Sequence, residues 1–127
     1  MKENYHNAIY FDVDETLIFW EDSEAIDRML SRGCLVDDRF VTLDTICFRK
    51  HNYHIDRLIQ HHNTGDLVVV WSAGGKGWAD RVVDALEIRE FVDVVLPKPN
   101  FYYDDIELKD FNSRRMFFDH ETLKFVR

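Results

Sequence analysis

The stretch Ala8-Ile9-Tyr10-Phe11-Asp12-Val13-Asp14-Glu15-Thr16-Leu17 decides how the chain is read. An apolar, aromatic run ends in two carboxylates one residue apart, then a threonine. A short continuous apolar run of this kind reads as a strand buried on both faces, here Ala8 to Val13. Carboxylates at the end of a buried strand are costly unless they are paired, solvated or metal-bound. In open α/β sheets the carboxyl ends of the strands are where ligands bind. Asp12 and Asp14 are therefore expected to form a Mg²⁺-dependent phosphoryl-transfer centre.

Working outward, Leu17 to Trp20 is a further apolar patch, and Glu21 to Leu30 is spaced as a short helix by Ile26, Met29 and Leu30. Cys34 to Phe48 fits short β elements, with Asp37-Asp38 and Asp44-Thr45 as turn signals. Ile55, Leu58, Ile59 and His62 recur at helical spacing, which predicts an amphipathic helix over Asn52 to His62, stopped by Asn63-Thr64-Gly65. Asp66 to Trp71 is the clearest strand and runs straight into Ser72-Ala73-Gly74-Gly75-Lys76-Gly77. A helix with Ala79, Val82, Val83 and Leu86 on one face follows. Phe91 to Leu96 reads as a third strand, closed by Pro97-Lys98-Pro99. Phe101-Tyr102-Tyr103 reads as a fourth strand ending in Asp104-Asp105, and Arg115 to Phe118 as a fifth, at the edge. Strands alternating with helices imply a parallel sheet. The expected fold is a three-layer α/β/α sandwich around a central, mainly parallel five-stranded sheet.

Length and composition bound the rest. A chain of 127 residues with 46% hydrophobic residues reads as one domain with a real core. Cys34 and Cys47 form no CxxC pair, and no signal peptide or apolar run of membrane-spanning length is visible. A cytoplasmic protein with no membrane partner is the expectation. The net charge of −8 argues against a broad nucleic-acid-binding face. It points to a small phosphorylated substrate and leaves a nucleic-acid end open. Cys47, His51, His54, His61 and His62 match no common zinc spacing, and His62 apart, these histidines are expected to face solvent.

These residues suit one chemistry. Asp12 can attack phosphorus as a nucleophile. Asp14, two residues on, lies on the same face of an extended chain and can carry the proton. Mg²⁺ takes oxygen ligands, for which Asp12 and one of Asp104 or Asp105 are candidates with a backbone carbonyl. Ser72 and the amides of Ala73 and Gly74 can cradle phosphate oxygens where a helix begins. Lys98 adds a cation to stabilise the transferring group.

With these residues in place, the chain resembles the haloacid dehalogenase-like superfamily. The motif DxDx[TV] is matched by Asp12-Val13-Asp14-Glu15-Thr16, and the strand ending in Ser or Thr by Val68-Val69-Val70-Trp71-Ser72. Lys98 matches the third motif and Tyr102-Tyr103-Asp104-Asp105 the fourth. The likeness covers roughly residues 8 to 119. It implies that Asp12 is the nucleophile, that Asp14 is the general acid/base and ligates Mg²⁺ through its backbone carbonyl, and that the activity is that of a phosphatase. Met116-Phe117-Phe118-Asp119 is a rival fourth motif, so Asp104, Asp105 and Asp119 all stand as possible last metal ligands. The segment at about 18–50 is too short for a large cap. It is similar to the short flap of capless members, among them small phage-encoded hydrolases of the superfamily.

The reading is thus a Mg²⁺-dependent phosphatase acting on a phosphate monoester through an aspartyl-phosphate. A nucleotide or another small phosphate ester is the expected substrate. Two alternatives stand beside it: a superfamily member that binds with little or no turnover, and a receiver-type phosphoacceptor domain.

Overall fold

The computed structural model describes residues 4–20, 38–44, 46–111, 117–119 and 124–126. Three strands form its parallel sheet: β1 (Ala8–Asp12), β5 (Leu67–Ser72) and β6 (Val94–Pro97), in the order β1-β5-β6. Central β5 is the most apolar run in the chain, and both its neighbours are parallel to it, as continuous burial requires. Ile9 lies beside Val68, Phe11 beside Val70, and Val70 beside Val95, so one sheet face is a continuous apolar surface.

That face is covered by helices α1 (Asn52–Asn63) and α2 (Lys76–Ala85). Ile55 and Leu58 of α1 and Ala79, Val82 and Val83 of α2 share one buried cluster with Phe11, Val68 and Val70. The helical spacing read from the sequence is the spacing that meets the sheet. Helix α1 stops where Gly65 takes φ +91°, a left-handed conformation that suits glycine. The opposite sheet face carries Tyr10, Val69, Trp71, Val94 and Leu96, with Tyr10 46% exposed. Helices α1 and α2 therefore form one layer on the sheet.

A second, antiparallel sheet lies over the same core: β2 (Ile18–Trp20), β4 (Ile46–Lys50) and β3 (Phe40–Leu43), in the order β2-β4-β3. The insert expected at about 18–50 thus carries a three-stranded sheet, with Asp44 at φ +49° opening the β3–β4 turn. Its Ile18, Leu43 and Phe48 join the buried cluster. Arg81 of α2 is ion-paired with Asp44, which ties the turn to the helix. The short helix expected over Glu21 to Leu30 lies outside the described residues.

Two strand expectations are corrected. Phe101, Tyr102 and Tyr103 form an exposed loop, with Phe101 82% and Tyr103 99% exposed, followed by the short helix α3 (Leu108–Phe111). Aromatic residues favour strands only where a neighbouring strand and a packed face receive them, and none does so here. Phe117–Asp119, β7, pairs antiparallel with β8 (Lys124–Val126) in a separate two-stranded sheet rather than at the edge of the parallel one. Arg115 and Met116 lie outside the described residues.

Candidate functional site

Asp12 closes β1, in register with Trp71. The chain then turns sharply. The Val13 carbonyl accepts hydrogen bonds from the amides of Thr16, Leu17 and Ile18, and Glu15 takes φ +62°. Val13 and Leu17, both fully buried, pin the turn from below. It leaves Asp12, Asp14 and Thr16 at the surface of the sheet edge, half-buried.

Asp12 is engaged at both oxygens. Lys98 Nζ lies 3.0 Å from Oδ1, and Thr16 Oγ1 donates to Oδ2 at 3.2 Å. Lys98 follows β6, and its amide donates to the Ser72 carbonyl at 2.9 Å, which fixes where its side chain starts. Its ammonium also lies 5.9 Å from the centre of the Trp71 ring. Strand register alone therefore brings Asp12 and Lys98, 86 residues apart, into contact.

Asp14 is held by tryptophans. Trp20 Nε1 and Trp78 Nε1 each donate to its Oδ1 at 3.1 Å. The two indoles stack at 6.1 Å with 26° between their planes, and Phe48 packs against both. Arg81 lies over the Trp78 ring at 5.5 Å. An indole donates only through its N–H, so this pair fixes the Oδ1 oxygen of Asp14.

The loop after β5 is built as a turn. Ser72 is fully buried, and its Oγ accepts the Gly74 amide at 3.0 Å. Its hydroxyl thus organises the loop that Ala73 and Gly74 form. A Cβ at Gly74 would sit 3.2 Å from Trp78 Cδ1 and 3.3 Å from Ser72 Oγ, so the glycine lets the Asp14-binding indole come close. Gly75 takes φ +102° at the start of α2. Lys76 is ion-paired with Asp80, whose other oxygen takes Arg89, so the lysine serves the helix surface.

Asp104 and Asp105 are not brought to this edge. Both are exposed on the loop after β6, where Asp104 Oδ1 accepts the Ile106 amide at 3.1 Å. Among the described residues, no group of three or more His, Cys, Asp or Glu converges as a metal cluster would. The side chain of Asp119 lies outside the described residues. For Mg²⁺, the residues on hand are the Asp12 carboxylate and the Asp14 carbonyl. This is a sparse set, yet one that fits an ion which keeps several waters and needs only one or two carboxylates plus a phosphate.

The histidines depart from the expectation that they face solvent. His51 is buried and stacks on His54 at 3.7 Å, with 6° between the rings. His54 Nδ1 lies 2.7 Å from the Thr16 carbonyl, and the His51 amide donates to the Leu17 carbonyl at 2.9 Å. The start of α1 thereby clamps the turn that carries Asp14. His61 pairs with Asp66 at 2.8 Å. That hydrogen bond holds the Asp66 carboxyl below the ordinary carboxylate value, against the upward push of burial. Cys47 is buried on β4.

Sequence reasoning missed the indole pair on Asp14. The usable signal is that each follows a chemistry-bearing segment, one six residues after Asp14 and the other closing Ser72 to Gly77. No helix among the described residues is long and apolar enough to cross a membrane. Compared with protein-family models, with curated proteins and with solved structures, the chain finds no match.

Proposed function

We propose that the chain is a Mg²⁺-dependent phosphatase that hydrolyses a phosphate monoester, with Asp12 as nucleophile. The observation that carries this reading is the contact of Asp12 with Lys98 at the carboxyl edge of a parallel sheet. Asp14 stands two residues on, its carboxylate fixed by two indoles. A nucleophile, a cation beside it and an oriented proton carrier are what the reaction needs.

In the first step an Asp12 carboxylate oxygen bonds to phosphorus and the ester P–O bond breaks. The departing oxygen takes the proton of the Asp14 carboxylic acid. In the second, Asp14 accepts a proton from water as the water oxygen attacks the aspartyl-phosphate, which releases phosphate and restores the Asp12 carboxylate. Lys98 offsets charge on the transferring group, and the loop of Ala73 and Gly74, fixed by the Gly74 amide on Ser72 Oγ, would lie beside its oxygens. Mg²⁺, held by the Asp12 carboxylate and the Asp14 carbonyl, would supply further charge neutralisation when bound.

This reading also keeps the capless haloacid dehalogenase-like assignment and its five-stranded, three-layer architecture as proposals. The position of Asp104, spent on the Ile106 amide, favours a second reading: a protein of the same build that binds phosphate esters with little turnover. Phosphate release from a chromogenic monoester with Mg²⁺, lost in Asp12→Asn, is the expected result. Binding of the ester without release by the wild-type protein would establish the second reading instead.

A further inference from the structure

Trp20 is 53% exposed, although tryptophan is on average a well-buried residue. It is nevertheless held firmly. Its Nε1 donates to Asp14 Oδ1 at 3.1 Å, its amide donates to Glu15 Oε1 at 3.4 Å, and its backbone pairs with Phe48 of β4. The Phe48 ring meets the indole edge-on at 4.6 Å. Trp78, its partner on Asp14, is half-buried and packs against Trp20, Phe48 and Arg81. Of the two indoles on Asp14, Trp20 is thus the one that keeps much of its surface open.

Holding Asp14 does not explain that open surface. The amide of an Asn or Gln also donates N–H groups, and it exposes far less apolar area. A fixed aromatic face beside a reacting group is instead suited to stacking a flat ring. Because the indole is already fixed, little side-chain entropy is lost when such a ring arrives.

The geometry points to a nucleoside as the leaving group, its base stacked on Trp20, so that the substrate is a nucleoside monophosphate. The inference rests on the hydrolytic reading of the Asp12 centre. In that reading the departing oxygen takes its proton from Asp14, and it therefore leaves beside the N–H edge of Trp20. The sugar supplies the span from this oxygen out to the open ring. An aryl ester, whose ring begins at the ester oxygen, has no such spacer. Trp20 then has two separable parts: the N–H positions Asp14, and the ring selects the leaving group.

The test compares AMP with ribose 5-phosphate, which keeps the sugar and the phosphate but lacks the base, in the full-length protein with Mg²⁺. Wild-type kcat/KM should be about tenfold higher for AMP. Trp20→Leu should slow both esters, through the lost hydrogen bond to Asp14, and bring their ratio to about one. Trp20→Phe should slow both and keep most of the ratio, because a ring remains. Trp78→Phe should slow both and leave the ratio unchanged. A Trp20 that only positions Asp14 would lower both rates and never move the ratio. The same two esters are titrated calorimetrically into Asp12→Asn, where AMP should bind about tenfold more tightly. If no ester is hydrolysed, the chromogenic one included, the hydrolytic reading falls, and the titration still decides the stacking. Equal values for AMP and ribose 5-phosphate, in turnover or in binding, would overturn the inference without any variant at Trp20. So would an AMP preference that survives in folded Trp20→Leu. Phenyl phosphate binding to Asp12→Asn as tightly as AMP would also overturn it, in favour of an aryl ester.

Discussion

Asp12 and Asp104 follow similar stretches of sequence, an aromatic run that ends in an acid, yet the structure treats them in opposite ways. Asp12 ends a strand paired to β5, and Lys98 and Thr16 meet its two oxygens. Asp104 ends an exposed loop and satisfies one local amide. The difference lies in what surrounds the backbone. A strand locked in register with others brings its carboxylate to partners distant in sequence, and among the described residues Phe101 to Tyr103 pairs with no strand. Composition at the two places is nearly the same; hydrogen-bonded neighbours decide which acid is part of a site.

The largest expected effect tests this contrast directly. Asp12→Asn should lower turnover of a chromogenic phosphate monoester by about a thousandfold or more, equivalent to roughly 4 kcal/mol of transition-state stabilisation. Asp104→Asn, whose amide oxygen can still accept the Ile106 N–H, should stay within about twofold of wild type. A comparable loss in Asp104→Asn or Asp105→Asn would break the comparison, because the loop would then have to close on Asp12 during the reaction. Steady-state rates with saturating Mg²⁺ measure both.

Next in size is the indole clamp. Trp78→Phe keeps the ring packing against Phe48 but removes one of the two N–H groups on Asp14 Oδ1. A hydrogen bond to a charged group contributes about 1.5–3 kcal/mol, so kcat/KM should fall roughly ten- to a hundredfold. The thermal midpoint should move little. A large drop in midpoint with unchanged kcat/KM would reassign Trp78 from positioning Asp14 to packing alone.

The parallel strands were legible because each is a continuous apolar run, and the two long helices because their apolar residues recur at 3.6-residue spacing. The Asp12–Lys98 pairing could be anticipated, since parallel order sends both strand ends to one edge. Other features were not legible. Ile18 to Trp20 is too short to show a period, and only pairing with β4 makes it a strand. The aromatic density of Phe101 to Tyr103 mimics a strand, because β propensity reflects a packed neighbour that sequence does not display. The Trp78 contact with Asp14 joins residues 64 apart, and His54 reaches Thr16 across 38. Local pattern carries no trace of such pairs.

A smaller effect, of about 1–2 kcal/mol, is expected where backbone geometry rather than charge sustains the Asp12 edge. Gly75 takes φ +102° with open space around its missing Cβ, so Gly75→Ala meets only conformational strain. Urea unfolding should show the loss at constant m-value, with little change in KM. A KM change without a stability change would mean that the loop's flexibility, and not its fixed turn, serves the site.

Asp66 extends the comparison to a third carboxylate, at the opposite end of β5 from Ser72. It is buried and accepts from His61, and that hydrogen bond outweighs burial to hold its carboxyl below the ordinary value. The folded state therefore binds this proton less readily than the unfolded chain does. Its stabilisation is fully present above the unfolded-state value and is lost as pH falls below about 4. Asp66→Asn keeps an acceptor but not the charge, so it should cost up to about 1 kcal/mol at neutral pH. That difference from wild type should shrink as urea unfolding is repeated at successively lower pH below about 4. A difference that stays constant through this range would mean that Asp66 stabilises the fold through its shape and packing, in contrast to Asp12, whose proposed role depends on its charge.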